Sequence, residues 1–235
     1  MMKGLLLTIL AIGFLAAAST AWAASKQEER LEDAREVLQA IMDTPDKGIP
    51  EDLLARSVCI GIIPSVKKFA FGFGGRHGAG YVLCRKNKGT GSWGPPSGFS
   101  MSGGSFGLQL GYSDTDFVLL FMNTDGMEKL LQDKFTLGAD ANVAAGPVGR
   151  TASAATNAQM AAKILSYSRS KGLFAGVALE GAVLRPSGDD NKELYGRKIS
   201  PKDILLHGSV GTPAPAVPLI QLLTKYSSGQ SKKPL

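Results

Sequence analysis

The hydrophobic positions near the start of the chain follow a helical period. Between Lys26 and Met42 the apolar residues recur at steps of three and four, and charged residues fill the positions between them. This spacing puts the apolar side chains on one face and predicts an amphipathic helix over 26–42. The run Pro50-Glu51-Asp52 predicts a second, short helix, because proline fits a first turn and carboxylates favour the positive end of the helix dipole.

The period changes from helical to alternating at Val58. β-Branched Val58, Ile60 and Ile62 alternate with smaller residues up to Pro64, which predicts a first core strand over 58–63. Similar runs predict strands at Phe69–Gly74, Gly80–Arg85, Ser105–Gly111, Phe117–Met122, Ala141–Ala145 and Leu173–Leu184. Two helices, at Thr124–Gln132 and Thr156–Leu165, are predicted to interrupt them.

Composition adds that the strands are rich in glycine. The chain has 29 glycines, most of them between Gly61 and Gly211. Glycine destabilises the interior of regular elements, so this density indicates turns, bulges and close approaches of backbones. We therefore expect an α+β fold: a glycine-rich antiparallel sheet or partial barrel, flanked by short helices, with the amphipathic helix at its N-terminal end.

Three glycine-containing runs resemble a known family. They are Leu137–Arg150, Tyr167–Gly176 and Trp93-Gly-Pro-Pro96, and they resemble the SYLF lipid-binding domain, also known as the Ysc84-type actin-binding domain. The resemblance extends from about Ala55 to Ile204. It implies a lipid-binding, non-enzymatic domain: eukaryotic members occur beside SH3 or FYVE modules, bind phosphoinositides and in fungi associate with actin, whereas bacterial members stand alone behind a secretion signal. This chain resembles the bacterial type, and we do not carry actin binding over to it.

The first 23 residues have the pattern of a secretory signal peptide. Lys3 precedes an apolar run, 4–18, and a small-residue cleavage site, Ala21-Trp22-Ala23, follows. The chain is thus expected to be exported, to a periplasm or outside the cell, with peripheral membrane association. The expected organisation is a signal peptide at 1–23, a helical lead-in at 24–54, the SYLF-like domain at 55–226 and a disordered basic tail at 227–235.

Charge and cysteine content narrow the chemistry. The net charge of +6 suits an anionic surface. Cys59 and Cys84, the only cysteines, are either joined by a disulfide, as export to an oxidising compartment allows, or are two buried thiols. With only two histidines besides, we expect no metal site. No cofactor and no nucleic acid partner are expected.

One motif points to hydrolysis. Gly103-Gly-Ser-Phe-Gly107 matches the pattern that carries a nucleophilic serine on a strand-to-helix turn. The residues after Ser105 are typical of a strand, and nothing in the sequence brings His207 to it. We therefore expect no catalytic residues and keep a serine hydrolase as the third hypothesis. A structural or protein-interaction module of the envelope is the second.

The basic residues carry the functional hypothesis. Lys67 and Lys68 adjoin Phe69, and Arg85, Lys86 and Lys88 follow a strand. If those strands pair, their ends are expected to form one positive rim beside aromatic side chains, suited to an anionic phospholipid membrane. Arg76, in the cluster Gly74–Gly80, would add charge for a headgroup phosphate. The predicted lipid-binding residues are Lys67, Lys68, Phe69, Arg76, Arg85, Lys86 and Lys88.

Overall fold

The computed structural model describes residues 25–44, 48–71, 73–106, 111–149 and 156–228. The predicted signal peptide, 1–23, and most of the predicted tail, 229–235, lie outside the described residues. Ser227, assigned to the tail from the sequence, instead belongs to the last helix. None of the helices in the described ranges is both long and apolar enough to cross a lipid bilayer.

The chain forms eight α-helices and nine β-strands within the described residues. The helices are α1 Lys26–Met42, α2 Glu51–Arg56, α3 Lys86–Gly89, α4 Thr124–Leu130, α5 Asn157–Ala161, α6 Gly188–Tyr195, α7 Pro201–Leu205 and α8 Val217–Ser227. The strands are β1 Cys59–Phe71, β2 Phe73–Cys84, β3 Ser97–Phe106, β4 Gly111–Phe121, β5 Phe135–Thr136, β6 Val143–Ala145, β7 Ile164–Ser170, β8 Leu173–Gly176 and β9 Val183–Pro186. The fold is therefore α+β, as the sequence predicted.

All nine strands belong to one curled sheet, a half-barrel. Its order is β5-β9-β3-β2-β1-β4-β7-β6, with β8 also paired to β7. Every pairing is antiparallel except that of β6 with β7. The long strands β3 and β4 flank the β1–β2 hairpin, so the four ends nearest its turn lie side by side.

Each face of the sheet buries its own apolar cluster. On one face, which we call the α1 face, Ile60 and Val118 pack with apolar residues of α1, α2 and α8. On the other, the α7 face, Val66 and Met101 belong to a cluster that includes residues of α4 and α7. Alternate strand residues serve the two clusters, because successive side chains of a strand point to opposite faces.

The predicted helix 26–42 is confirmed, and its ends follow helix-capping rules. Ser25 caps α1: its hydroxyl accepts a hydrogen bond from the Glu28 amide, and the Glu28 carboxylate accepts one from the Ser25 amide, which completes a capping box. Leu31, Ala34 and Leu38 are buried, so the apolar stripe packs on the sheet. The short second helix is also confirmed, at α2.

Four element predictions were wrong. The predicted strand Phe69–Gly74 instead covers the end of β1 and the start of β2; most of the predicted strand Ser105–Gly111, at 107–110, lies outside the described residues. β1 does not stop at Pro64 but continues to Phe71. Ile164 and Leu165, predicted to end a helix, begin β7 instead, because their side chains complete the buried sheet beside β4. The predicted strand Leu173–Leu184 is two strands, β8 and β9, which pair with different partners.

A β-bulge explains how β1 passes Pro64. Its register against both neighbours shifts between Ile62 and Lys67, and Ser65 within this segment has a φ of 50°. One extra residue on β1 reverses which face each later side chain occupies. The bulge therefore places Lys67 and Phe69 on the α1 face and Lys68 on the α7 face.

Candidate functional site

The ends of β1–β4 nearest the hairpin turn form a projecting edge, which we call the tip. It comprises residues 67–71 of β1, 73–77 of β2, 102–106 of β3 and 111–115 of β4. Lys67 lies opposite His77 and Asp114, and Lys68 lies opposite Arg76 and Ser113. The tip thus brings together four of the residues that the sequence analysis selected: Lys67, Lys68, Phe69 and Arg76.

Two aromatic side chains stand in solvent on the α1 face of the tip. Phe69 is 61% exposed and Tyr112 is 57% exposed. Their ring centroids are 5.2 Å apart, and the rings are tilted by 54°. Burial of such a pair away from water is favourable. A tyrosine can bury its ring while its hydroxyl stays hydrogen-bonded at a membrane–water interface. Lys67, on the same face, is also exposed.

The remaining selected residues lie at the opposite end of the same strands. Cys59, at the start of β1, pairs with Cys84, so Arg85 lies beside the start of β1. Lys67 is eight residues further along β1. At about 3.3 Å per residue this separation is about 26 Å along the strand. The expected single rim is therefore wrong as geometry: antiparallel pairing puts the start of β1, not its end, beside the end of β2.

The Arg85 side chain makes structural contacts that link neighbouring loops. Its guanidinium donates to the carbonyl oxygens of Ser57 at 3.0 Å and Gly91 at 3.3 Å. It also lies 4.3 Å from the ring centroid of Trp93, a cation–π contact. Burial lowers its pKa from the ordinary arginine value. Lys86 is exposed in α3, which also contains Lys88.

An acidic groove adjoins the tip on the α1 face. It has a volume of about 340 Å³, and its acidic lining residues come from α1 and β4: Asp33, Glu36, Asp114 and Asp116. Burial, then the charges of Glu29, Glu36, Asp116 and Glu32, raise the pKa of Asp33. Asp116 is engaged by Arg169 at 3.5 Å and accepts a hydrogen bond from the Ser65 amide at 3.0 Å. Arg169 and Lys171 also line the groove and offset part of the charge of its four carboxylates. The acidic excess that remains disfavours contact between this part of the α1 face and an anionic surface.

Cys59 and Cys84 face each other directly in the β1–β2 pair, and the structure joins them by a disulfide. Both residues are buried in the cluster on the α7 face. The bond closes a segment of 25 residues that includes the whole hairpin. It therefore ties the base of the hairpin and leaves the tip unconstrained.

The serine of the hydrolase-like motif lies in a strand. Ser105 belongs to β3, where it pairs with Gly74 of β2. His207 follows α7, where its Nδ1 lies 3.1 Å from Asp203 Oδ1. Ser200 caps that helix and donates to the other Asp203 oxygen at 2.6 Å. These contacts are those of a capped helix end, and Ser105 is on a paired strand rather than on the turn that the motif requires.

Tyr112 is the site residue that the sequence analysis missed. The predicted strands Ser105–Gly111 and Phe117–Met122 leave its segment between them. The signal was present as an alternation: Tyr112, Asp114, Asp116, Val118 and Leu120 occupy every second position of β4. Val118 and Leu120 are buried in the sheet, and Asp116 and Asp114 lie nearer the tip. This change from apolar to acidic side chains is what a single strand shows when it extends out of the core.

Comparison with known proteins finds a matching family model and several relatives. The family model Ysc84, described as "Las17-binding protein actin regulator", matches residues 102–226. LAS seventeen-binding protein 3 of Saccharomyces cerevisiae is 36% identical over 181 residues, covering 76% of this chain and 39% of that protein. Human SH3 domain-containing YSC84-like protein 1 is 33% identical over 184 residues, covering 78% of this chain and 53% of the relative. The chain thus spans about two fifths to one half of these relatives' length.

Proposed function

Because this chain belongs to the Ysc84, or SYLF, family, we propose that it is a non-enzymatic lipid-binding domain whose tip contacts anionic phospholipid. The observation that carries the proposal is the exposed Phe69–Tyr112 pair beside the cations of the tip. The signal-peptide pattern at 1–23 supports placing the membrane at the cell envelope. The yeast relative is named as a LAS seventeen-binding protein and the family description names an actin regulator, which accords with a binding role.

The tip has the composition that an interfacial contact needs. Lys67, Lys68 and Arg76 contribute three positive charges, and Asp114 contributes one negative charge. Each cation near an anionic bilayer contributes about 1 kcal/mol, so the electrostatic part is about 2 kcal/mol after Asp114 is counted. Burying an aromatic side chain contributes about 1.5–3 kcal/mol. The expected binding is therefore weak to moderate, salt-sensitive and dependent on both kinds of residue.

The geometry favours an edge-on approach. Phe69, Tyr112 and Lys67 lie on the α1 face, and Lys68 and Arg76 lie on the α7 face. A bilayer that meets the strand ends contacts both sets, whereas one laid against the α1 face also meets the acidic groove. The tip is therefore proposed to enter the headgroup region end first, with Asp116 and the α1 side of the acidic groove remaining outside it.

Co-sedimentation with vesicles tests the proposal. Vesicles of phosphatidylcholine alone and of phosphatidylcholine with phosphatidylglycerol are compared at low and high salt. We expect binding only to the anionic vesicles, lost at high salt because screening weakens exposed charges. Replacing Phe69 and Tyr112 by serine is expected to weaken binding at least tenfold. The matched control replaces Met160 and Leu173, which are 74% and 79% exposed, by serine and is expected to bind normally.

A second set of variants separates the two ends of the strands. Lys67→Gln with Arg76→Gln removes two charges from the tip and is expected to weaken binding about 25-fold, or fivefold per cation. Lys134→Gln with Lys192→Gln removes two exposed charges elsewhere and is expected to have little effect. Lys86→Gln tests the other strand end. If the tip variant binds as well as the unmodified protein, or if Lys86→Gln accounts for the loss, the tip is not the contact.

A protein-interaction module is the second candidate function. It is favoured by the description of the matching family, which names a protein partner and an actin regulator. The matched regions cover 39% and 53% of the two relatives, so the parts of those proteins that this chain does not match are also candidates for binding that partner. Absence of binding to anionic vesicles at low salt, with the protein folded, would favour this second function.

A further inference from the structure

A single residue of β4, Asp116, lies opposite the bulge of β1. β1 has two residues, Pro64 and Ser65, at the point where β4 has only Asp116, and the pairing of the two strands is regular on both sides of it. Two residues against one define a β-bulge. The register of β1 against β2 also shifts by one residue, within the segment 62–67. Asp116 is therefore placed to act on the bulge.

The Asp116 carboxylate links the bulge to the next strand of the sheet. Its Oδ1 accepts a hydrogen bond from the Ser65 amide at 3.0 Å. Its Oδ2 lies 3.5 Å from Nε of Arg169, which is the residue opposite Asp116 on β7. The Asp116 side chain is 16% exposed, so water has limited access to both contacts. The ion pair with Arg169 thus orients the carboxylate, and the charged oxygen strengthens the hydrogen bond to the bulge.

The bulge needs such a partner because its backbone conformation is unfavourable by itself. Ser65 has a φ of 50°, in the left-handed region that glycine adopts freely and other residues adopt seldom. A bulge also leaves its extra residue outside the regular ladder of strand hydrogen bonds. At Ser65 the amide is satisfied by Asp116 instead. This hydrogen bond therefore favours the bulged register over the regular one.

The bulge decides which side chains face each other at the tip. In the observed register Phe69 lies directly opposite Tyr112, and their ring centroids are 5.2 Å apart. Without the extra residue every later position of β1 would move by one relative to β4, and Lys68 would lie opposite Tyr112. Phe69 would then lie opposite Gly111 on the α7 face, because successive side chains of a strand point to opposite faces. The aromatic pair exists only in the bulged register.

We propose that Asp116 is a positioning residue for the membrane contact: it holds the bulge in place and thereby keeps Phe69 against Tyr112 on the α1 face. Asp116 acts through the strand register and does not itself touch lipid, since it remains outside the headgroup region. The inference rests on the proposed function and deepens it, because it names the residue on which the geometry of the aromatic pair depends.

NMR in solution, without membranes, tests the positioning. In the unmodified protein we expect NOEs between the ring protons of Phe69 and Tyr112, and slow hydrogen exchange of the Ser65 amide. Asp116→Ala removes the acceptor and is expected to weaken the NOEs and to speed exchange of that amide about tenfold. Asp116→Asn keeps an oxygen acceptor and is expected to preserve both signals. Unchanged NOEs in Asp116→Ala would overturn the inference.

Vesicle binding separates positioning from charge by the sign of the effect. Loss of a carboxylate near the tip would by itself strengthen binding to anionic vesicles, by up to about fivefold for one full charge. Positioning predicts the reverse for Asp116→Ala: binding weakens about threefold or more, because burial of the aromatic pair is lost. Glu36→Ala, the matched control, removes another carboxylate of the same groove without touching the bulge and is expected to bind as well as the unmodified protein or better. Equal behaviour of the two variants would overturn the inference.

A rescue variant and thermal unfolding distinguish positioning from a general loss of structure. Adding Ser65→Gly to Asp116→Ala makes the left-handed conformation favourable again and is expected to restore the NOEs and the binding. No rescue, together with a lowered unfolding temperature, would assign the effect to destabilisation and overturn the inference. Weakened NOEs with unchanged vesicle binding would support the role of Asp116 at the bulge and overturn the membrane contact of the aromatic pair.

Discussion

Replacing Gly80 by alanine is expected to destabilise the fold strongly, because β1 and β2 touch at this residue. Gly80 lies in β2 beside the bulge of β1. A Cβ at position 80 would lie 2.1 Å from the carbonyl oxygen of Ile62 and 2.6 Å from the Cα of Ile63. Ordinary contacts begin at about 3.4 Å, and both of these atoms belong to the backbone. One strand must therefore move by about 1 Å or the pairing must break.

The magnitude follows from the cost of overpacking. Forcing extra atoms into a packed interior costs about 1–3 kcal/mol. The upper part of this range applies because no flexible side chain can move aside. With a total stability of about 5–15 kcal/mol, a loss of about 3 kcal/mol is a large share. For a domain of this size it lowers the melting temperature by about 6–12 °C.

Gly75→Ala is the matched control, since it is the same substitution in the same strand. A Cβ at position 75 meets no atom within 4 Å. It is expected to be neutral or to stabilise by about 0.4–1 kcal/mol, because alanine restricts the unfolded chain. Urea unfolding at pH 7, with m-values compared, gives both free energies of unfolding. Values for the two variants within 0.5 kcal/mol of each other would refute the close approach at the bulge.

Two further predictions concern the links that hold the hairpin and α1. Arg30 Nη1 lies 2.9 Å from Asp190 Oδ2, and Gln27 donates to Oδ1 at 3.1 Å, tying α1 to α6; Asp190→Asn is expected to cost about 2–3 kcal/mol at pH 7, while the exposed Asp189→Asn should cost under 0.5. Burial opposes ionisation of Asp190, but hydrogen bonds from Ser187 and Arg30 outweigh it and hold its pKa below the ordinary value. The contribution of Asp190 to the free energy of unfolding is therefore present above pH 4 and is lost as the pH falls through the lowered pKa. An equally steep loss of stability with acid in Asp190→Asn would contradict this. Reducing the Cys59–Cys84 bond, which closes 25 residues, is expected to lower the free energy of unfolding by about 3 kcal/mol. Alkylation of the denatured, unreduced protein should add no mass, and uptake of two alkyl groups would show free thiols.

Local patterns predicted the elements whose determinants lie within a few residues. The spacing of apolar residues in 26–42 defines a helix whatever it packs on, and Ser25 and Glu28 cap it locally. The same holds for Ser200 before Pro201, which caps α7 through a contact within the first turn. The failures came where a distant partner decides. Ile164 and Leu165 suit a helix or a strand equally well, and only the neighbouring β4 selects the strand.

The sequence by itself determined the α+β class, the glycine-rich sheet, the family and four of the five residues of the proposed contact: Lys67, Lys68, Phe69 and Arg76. Tertiary structure alone decided that Arg85 lies about 26 Å away and holds loops, that Tyr112 joins Phe69, and that Lys68 faces Arg76 across the strands. The physical reason is that periodicity is a property of consecutive residues, whereas register and direction of pairing depend on residues far along the chain. One extra residue at the bulge is enough to exchange the faces of everything that follows it.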